Sequence, residues 1–275
     1  MTEPFQDQAV ATPRPGLRGL VHRYTGHTFR GFPPGFHAGL PSRHLTLMIS
    51  LEDPFDVTAL PNGGHGAGRH QSFVGGLHSG PAAVAHDGRG CGVGVALTPA
   101  GARSLLGMPA GALTNSVVDL GLVWRGADEL AGRMAAEPDW RRRFALVDAW
   151  LTGRLDDART PGAEVDWVWR RLAASGGRVT VNELASAVGW SRRHLSTRFT
   201  AEFGLGPKEA ARVLRFERAC WLLGQDGHPG IARVAVMCGY YDQAHLNNEW
   251  RDIAGMTPTE WMSAELRDPP DELPG

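Results

Sequence analysis

Within residues 161–266 the chain repeats itself at an offset of 50–51 positions. Leu184-Ala185-x-x-Val188-Gly189-Trp190 returns as Val234-Ala235-x-x-Cys238-Gly239-Tyr240. After one inserted residue, Leu195, Phe199, Gly204, Pro207 and Glu209 fall opposite Leu246, Trp250, Gly255, Pro258 and Glu260. A period of this length means two copies of one supersecondary unit.

Each copy predicts helix, tight turn, helix. Thr180-x-x-Glu183 is a capping box that starts the first helix, and Leu184, Ala185 and Val188 form its apolar face. Gly189 stands where the chain must turn sharply, a position that favours a residue without Cβ. Ser191 caps the second helix, whose apolar face is Leu195, Phe199 and Phe203. In the second copy Ile231–Cys238 is the supporting helix, Gly239 the turn and Asp242–Ile253 the second helix. Residues 207–224, opened by Pro207 at the first helical position, predict one long helix between the copies. Thr257-Pro258-Thr259-Glu260 combines a cap, a first-turn proline and a capping box for a last helix. This is a tandem helix-turn-helix, in which each second helix is able to lie in a major groove.

The outward faces carry the chemistry. With Leu195 and Phe199 buried, the first reading helix presents Arg192, Arg193, Ser196 and Thr197 beside its cap Ser191; the second presents Gln243, His245, Asn247 and Asn248. Arginine pairs with guanine or holds phosphate, while Gln and Asn pair with adenine. Residues 191–218 carry seven basic and three acidic side chains, net +4, and residues 226–265 two and six, net −4. Phosphate contacts need cations. The first unit is therefore expected to anchor a duplex, and the second to read bases or to contact RNA polymerase.

Ala235-x-x-Cys238-Gly239-Tyr240-x5-Leu246-x3-Trp250-x4-Gly255-x2-Pro258-x2-Trp261 resembles the signature of the AraC family of transcription regulators. The resemblance covers residues 161–266 and implies base-reading positions at Arg193, Ser196 and Thr197, with Arg192 beside them, and at Gln243, Ala244 and Asn248. The chain departs from the family pattern at Trp250, usually Phe, and at Asn248, where a basic residue is common. The stretch from Pro41-Ser42-Arg43-His44-Leu45 through Ser72-Phe73-Val74-Gly75-Gly76-Leu77 to Val95-Ala96-Leu97-Thr98-Pro99 resembles the N-terminal domain of a poorly characterised subset of the family. The resemblance implies sensing or dimerisation there, hence a small-molecule effector or a homodimer.

Upstream, the patterning predicts an α+β domain over residues 17–155, and so a multidomain chain with an all-α C-terminal domain over residues 163–266. Residues 1–16 read as a frayed arm, 156–162 as the linker and 267–275 as a tail. Strands are predicted at Leu17–Tyr24, Leu45–Leu51, Phe55–Leu60, Ser72–Leu77, Ala82–His86 and Gly92–Leu97, forming either a barrel or an open sheet. Asn62–His70 reads as a flexible hairpin or lid. Thr98-Pro99 starts a helix, and helices follow over Ala127–Ala136 and Pro138–Leu155, the latter with a stripe of Trp140, Phe144, Val147 and Leu151.

Other chemistries find little support. Cys91, Cys220 and Cys238 are the three cysteines, with no C-x-x-C spacing. Cys91 has only Arg89 as a basic neighbour in sequence and reads as packing, as do Cys220 and Cys238. Eight of the 11 histidines precede residue 90, but singly hydrogen-bonded imidazoles account for them better than a metal site. Arg43-His44 could hold an anion, although a solvated turn is the simpler reading. The six tryptophans from Trp167 to Trp261 fall at helical core positions. A DNA-binding domain fused to an enzyme would need a zinc-binding Cys cluster, G-x-S-x-G, H-E-x-x-H or a P-loop, none of which occurs. An interaction adaptor that keeps the fold is the third reading, opposed by exposed Arg192 and Arg193. No metal or cofactor is expected. With no secretory signal and no run of 18 apolar residues, a cytoplasmic protein is expected.

Overall fold

The computed structural model describes residues 4–155 and 160–264. The N-terminal strands are β1 (Phe5–Ala11), β2 (Val21–Arg30), β3 (Gly35–Gly39), β4 (Leu45–Ser50), β5 (Phe55–Ala59), β6 (Gly68–His70), β7 (Ser72–Gly75), β8 (Ala82–His86), β9 (Gly90–Leu97) and β10 (Val117–Asp119). They form a six-stranded sheet, β1-β2-β9-β4-β7-β10, and a four-stranded sheet, β3-β8-β5-β6, both antiparallel. Among the described residues, strands pair only within each sheet, so no barrel closes.

Alternation explains the layering. Leu45, Leu47 and Ile49 of β4 and Val93, Val95 and Leu97 of β9 are buried in the main core. The intervening Gly92 and Gly94 face the second sheet, where a Cβ on Gly92 would meet His27 Cε1 at 3.0 Å and Phe55 Cζ at 3.1 Å. The alternate-glycine strand therefore leaves room between the sheets, which touch through Phe29–His86 and Phe55–Phe73 edge contacts at 5.2 and 5.6 Å.

Helices cover the other face of the large sheet. Thr98 caps α1 (Pro99–Gly101), its side chain accepting from the Gly101 N–H at 2.9 Å, and a π-helical turn follows over Ala102–Leu106. Then come α2 (Leu120–Val123), α3 (Ala127–Ala135) and α4 (Trp140–Thr152). Phe144, Val147 and Leu151 of α4 are buried as its stripe predicts, and Trp140 lies over Gly26, where no Cβ would fit. Buried Asp148 on α4 accepts from Tyr24 Oη at 2.7 Å and pairs with Arg14 Nε at 2.7 Å. Burial and this carboxylate push the Tyr24 phenol up.

Three expectations fail here, the first being the strand at Leu17–Tyr24, which begins only at Val21, after a 3-10 turn over Pro15–Leu17, and runs on to Arg30. Residues 5–11, expected in a frayed arm, pair with β2 from Phe5↔Arg30 to Ala11↔Tyr24. Asn62–His70 is no free lid: it contains β6, Val117 N donates to His65 O at 2.9 Å, and a Cβ on Gly64 or Gly66 would strike the carbonyls of Asn115 or Val117. These glycines serve backbone-to-backbone packing.

The C-terminal part consists of α5 (Ala163–Ala174), α6 (Val181–Ala187), α7 (Arg192–Phe203), α8 (Pro207–Leu223), α9 (Ile231–Met237), α10 (Gln243–Ala254) and α11 (Pro258–Met262). Both capping boxes form, at Thr180/Glu183 and Thr257/Glu260. The Thr180 and Thr257 N–H groups hold the two glutamates below the usual carboxylate range. Gly189 and Gly239 take φ of +70° and +82° in the two turns, the left-handed region that excludes most side chains.

The cores do not divide where the chain does. The expected linker lies partly, and the expected tail wholly, outside the described residues. One continuous apolar cluster runs from the β-sheet through α5, α6 and α7 to Leu214 of α8. A second begins at Phe216 and holds only the second helix-turn-helix unit, with Leu40 packed against it. Three polar links reinforce the seam. Buried Arg43 pairs with buried Glu217 at 2.5 Å. Arg103 forks onto Glu202 at 2.8 and 2.6 Å, and Ser79 donates to Glu209 at 2.5 Å. Arg43 is thus the inward half of an ion pair rather than part of a solvated turn. Gly204, the left-handed C-cap of α7, sits so close to Thr114 and Gly111 that no Cβ would fit.

Candidate nucleic-acid interface

The two helices expected to read bases, α7 and α10, are positioned by like means. Ser191 Oγ accepts from His194 N at 3.2 Å to open α7, and Asp242 Oδ1 accepts from His245 N at 2.8 Å to open α10. Leu195, Phe199 and Phe203 bury one face of α7; Leu246, Trp250 and Ile253 bury one face of α10. What remains outside is set by these anchors.

On α7, Arg192, Arg193 and Thr197 are exposed, Ser191 is exposed at the cap and Ser196 is half-buried. Thr197 Oγ1 donates to the Arg193 carbonyl at 3.0 Å, which turns the hydroxyl back onto the helix. On α10, Gln243, Ala244 and Asn248 are exposed. Asn247 is half-buried, and its Oδ1 is buried without a hydrogen-bond partner among the described residues. The outward placement expected for Asn247 is therefore not what the structure shows, because its position beside Leu246 draws it toward the core. His245 also turns sideways: its ring meets Tyr240 edge-on at 5.4 Å, and Nε2 lies 3.8 Å from Glu249. Sequence reasoning missed Tyr241, which is 90% exposed immediately before the α10 cap.

A second feature was not legible in the sequence as a unit. Between the two sheets lies a cavity of about 850 Å³, within the range of pockets for small molecules. Its walls include Thr25, His27 and Phe29 of β2, Met48 of β4 and Val84 of β8. Phe216, Glu217 and Trp261 of the helical part also line it. His27, His37, His44, His78 and His86 line it; His22 stacks on His44 at 4.5 Å, His70 Nε2 lies 2.9 Å from the Gly66 carbonyl, and His78 Nδ1 2.6 Å from that of Gly80. Among the described residues no three His, Cys, Asp or Glu side chains are placed to share a metal ion. Cys91 has a basic neighbour other than Arg89: Arg143 Nη1 is 3.7 Å from Sγ, brought by α4 packing across the sheet.

His78 gives the cavity wall a pH signature. Burial holds its imidazole below the usual range, more strongly than the Gly80 carbonyl supports the charged form. The unfolded chain then binds the proton more readily. The stability linked to His78 is present above about pH 6.5, the unfolded value, and is lost as pH falls through the lower folded value. The wild-type melting temperature is expected to drop more between pH 7.5 and pH 5.5 than that of His78→Gln. Parallel curves for the two proteins would show that the folded chain protonates His78 as readily as the unfolded one, and so overturn the lowered affinity.

Residues 184–264 match a family model described as a helix-turn-helix domain, and residues 9–119 match a domain of unknown function (DUF6597). A putative AraC-like transcription regulator of Streptomyces antibioticus is 32% identical over 42% of this chain and 36% of its own length. The uncharacterised HTH-type transcriptional regulator YbfI of Bacillus subtilis is 34% identical over 34% of this chain and 33% of its own. The chain thus spans about a third of the length of these curated relatives. In fold, ToxT from Vibrio cholerae is similar across both parts, with a TM-score of 0.57 at 9% identity, over 94% of this chain and 97% of that one. With the tandem units, their caps and their turns in place, the C-terminal part is a helix-turn-helix domain similar to those of AraC-like transcription regulators.

Proposed function

We propose that this chain is a sequence-specific double-stranded DNA-binding transcription regulator whose N-terminal cavity takes a small-molecule effector. The observation that carries the reading is the pair of capped, solvent-facing helices, α7 with Arg192 and Arg193 and α10 with Gln243 and Asn248, joined by one continuous helix. The two helices would enter successive major-groove segments on one face of the duplex, about 34–36 Å apart on straight DNA. Arg192 and Arg193 supply positioning or guanine recognition on the first; Gln243 and Asn248 suit adenine on the second. Thr197, Ser196 and Ala244 shape the remaining contact surface.

The cavity supports sensing over dimerisation as the work of the N-terminal part, because an unfilled space bordered by both parts is able to link a ligand to the reading helices. The acidic second unit suits a contact with RNA polymerase. A soluble, cytoplasmic setting agrees with these roles, and no helix among the described residues is long and apolar enough to cross a membrane.

The test is binding selection from random duplexes, followed by fluorescence anisotropy. Arg193→Ala should weaken binding by about 1–3 kcal/mol and relax preference at one base pair. The Arg192→Ala/Arg193→Ala pair should abolish selective binding. A wild-type protein that selects no sequence, with or without candidate effectors, would sink the proposal.

A further inference from the structure

Three arginines from outside the second helix-turn-helix unit converge on its turn. Arg178 comes from the connection between α5 and α6; Arg215 and Arg218 project from α8. A Cβ placed on Gly239 would lie 3.8 Å from Arg178 Cγ and 4.0 Å from Arg215 Cδ. The Arg215 guanidinium carbon lies 5.7 Å from the centroid of the Tyr240 ring, and all three charges are near enough to act on the Cys238 thiol. Arg218 reaches this place across Gly176, where a Cβ would meet its Cδ at 3.1 Å. Side chains at Gly176 and Gly239 would crowd the cluster.

The charges around this turn do not balance. Glu249 lies 3.4 Å from Arg215, but it is shared with Arg212 at 3.3 Å and with His245 at 3.8 Å. The Nε groups of Arg215 and Arg218 are buried without a hydrogen-bond partner among the described residues. Buried N–H donors on like-charged groups are costly unless an anion joins them. The guanidinium fork fits the oxygens of a phosphate. The turn they surround leads directly into Asp242, the cap of α10, and into exposed Tyr241.

We propose that Arg178, Arg215 and Arg218 form a clamp for one or two DNA backbone phosphates where the second reading helix enters the groove. This inference rests on the DNA-binding reading above. It also answers a difficulty of charge. Residues 226–265 carry net −4, yet the unit must lie against a polyanion. Two of the seven basic side chains counted with the first unit, Arg215 and Arg218, stand at the turn of the second. The anchoring charge is therefore distributed along the interface rather than confined to α7.

The experiment is anisotropy on the full chain over a salt series, with a duplex recovered by binding selection and a scrambled duplex of equal length. The proteins are wild type, Arg178→Ala/Arg218→Ala and Arg178→Lys/Arg218→Lys. Arg215 is left in place because it also holds Glu249. The alanine pair should bind about tenfold or more weakly, equally on both duplexes. Its slope of log K against log salt should flatten by about 0.9 for each phosphate it no longer neutralises. The lysine pair should keep most of the wild-type slope. An alanine pair that binds like a competent wild type overturns the clamp and leaves the DNA-binding reading intact. A lysine pair as weak as the alanine pair shows a packing role and also overturns it. Pyrophosphate is titrated into DNA-free protein in parallel; binding that the alanine pair loses, with its DNA slope unchanged, assigns the cluster to a free phosphate ligand instead. A wild type that binds neither duplex overturns both readings together.

Discussion

Arg43→Ala is expected to destabilise the protein by about 3–5 kcal/mol, because it removes one half of a buried ion pair. The Glu217 carboxylate would stay behind in α8 with its side chain 6% exposed. A charge left there keeps its desolvation cost without the partner that offset it. At this chain length each kcal/mol moves the melting temperature by roughly 2–4 °C, so a fall of about 6–20 °C is expected. Arg43→Leu/Glu217→Leu should recover most of it, since two apolar groups of similar volume carry no such cost. The damage should also reach function, because Arg43 belongs to the sheet part and Glu217 to the helix joining the readers. Thermal melting of the three proteins checks this. An unchanged midpoint in Arg43→Ala would mean that another cation takes over Glu217.

Trp250→Ala is the second large effect, about 3–5 kcal/mol. Trp250 is 1% exposed at the centre of the second cluster, edge-on to Phe216 at 4.8 Å and to Trp261 at 5.5 Å. Its Nε1 is buried without a hydrogen-bond partner among the described residues. Trp250→Phe, which restores the residue usual in the family, gives up packing area but also removes that unsatisfied donor. It should therefore cost clearly less than the alanine variant, since it leaves the smaller cavity of the two. Because the second cluster is separate from the first, Trp250→Ala should loosen α9, α10 and α11 before the rest. Hydrogen exchange checks this: amides of α10 should lose protection while those of α7 and β9 keep theirs. Uniform loss across the chain would show that the two clusters unfold as one.

The helical half was legible because its determinants are local. Thr180, Glu183, Ser191, Pro207, Thr257 and Glu260 each specify a helix end through a side chain within four residues, and all of these ends form. The sheets were legible only where one face is buried. β4 alternates as Leu-Thr-Leu-Met-Ile-Ser, and its bounds were read within a residue. β1 reads Phe-Gln-Asp-Gln-Ala-Val-Ala and is exposed over most of its length, so no alternation of apolar residues marks it. β3 is a short strand of Gly-Phe-His-Ala-Gly with Phe36 exposed, and it escaped for the same reason. Gly64 and Gly66 looked like flexibility, although they serve contact with backbone far along the chain. The exposure of Arg192, Arg193, Gln243 and Asn248 followed from burying Leu195 and Leu246, whereas the half-buried setting of Ser196 and Asn247 did not. The cavity and the arginine cluster did not, since both arise from residues that meet only through tertiary packing.

The apolar cluster that ignores the linker bears on how such a chain can be recombined. A chimera that exchanges helical halves at the covalent junction near residue 160 would cut through shared core. It would also part Arg103 from Glu202, Arg43 from Glu217 and Gly111 from Gly204. The exchangeable cassette is smaller, beginning after Arg218, so that Glu217 stays with Arg43, and ending with α11. For this architecture, the second helix-turn-helix unit is more readily exchanged alone than the pair together, and the first unit has to change together with the sheet part that holds it.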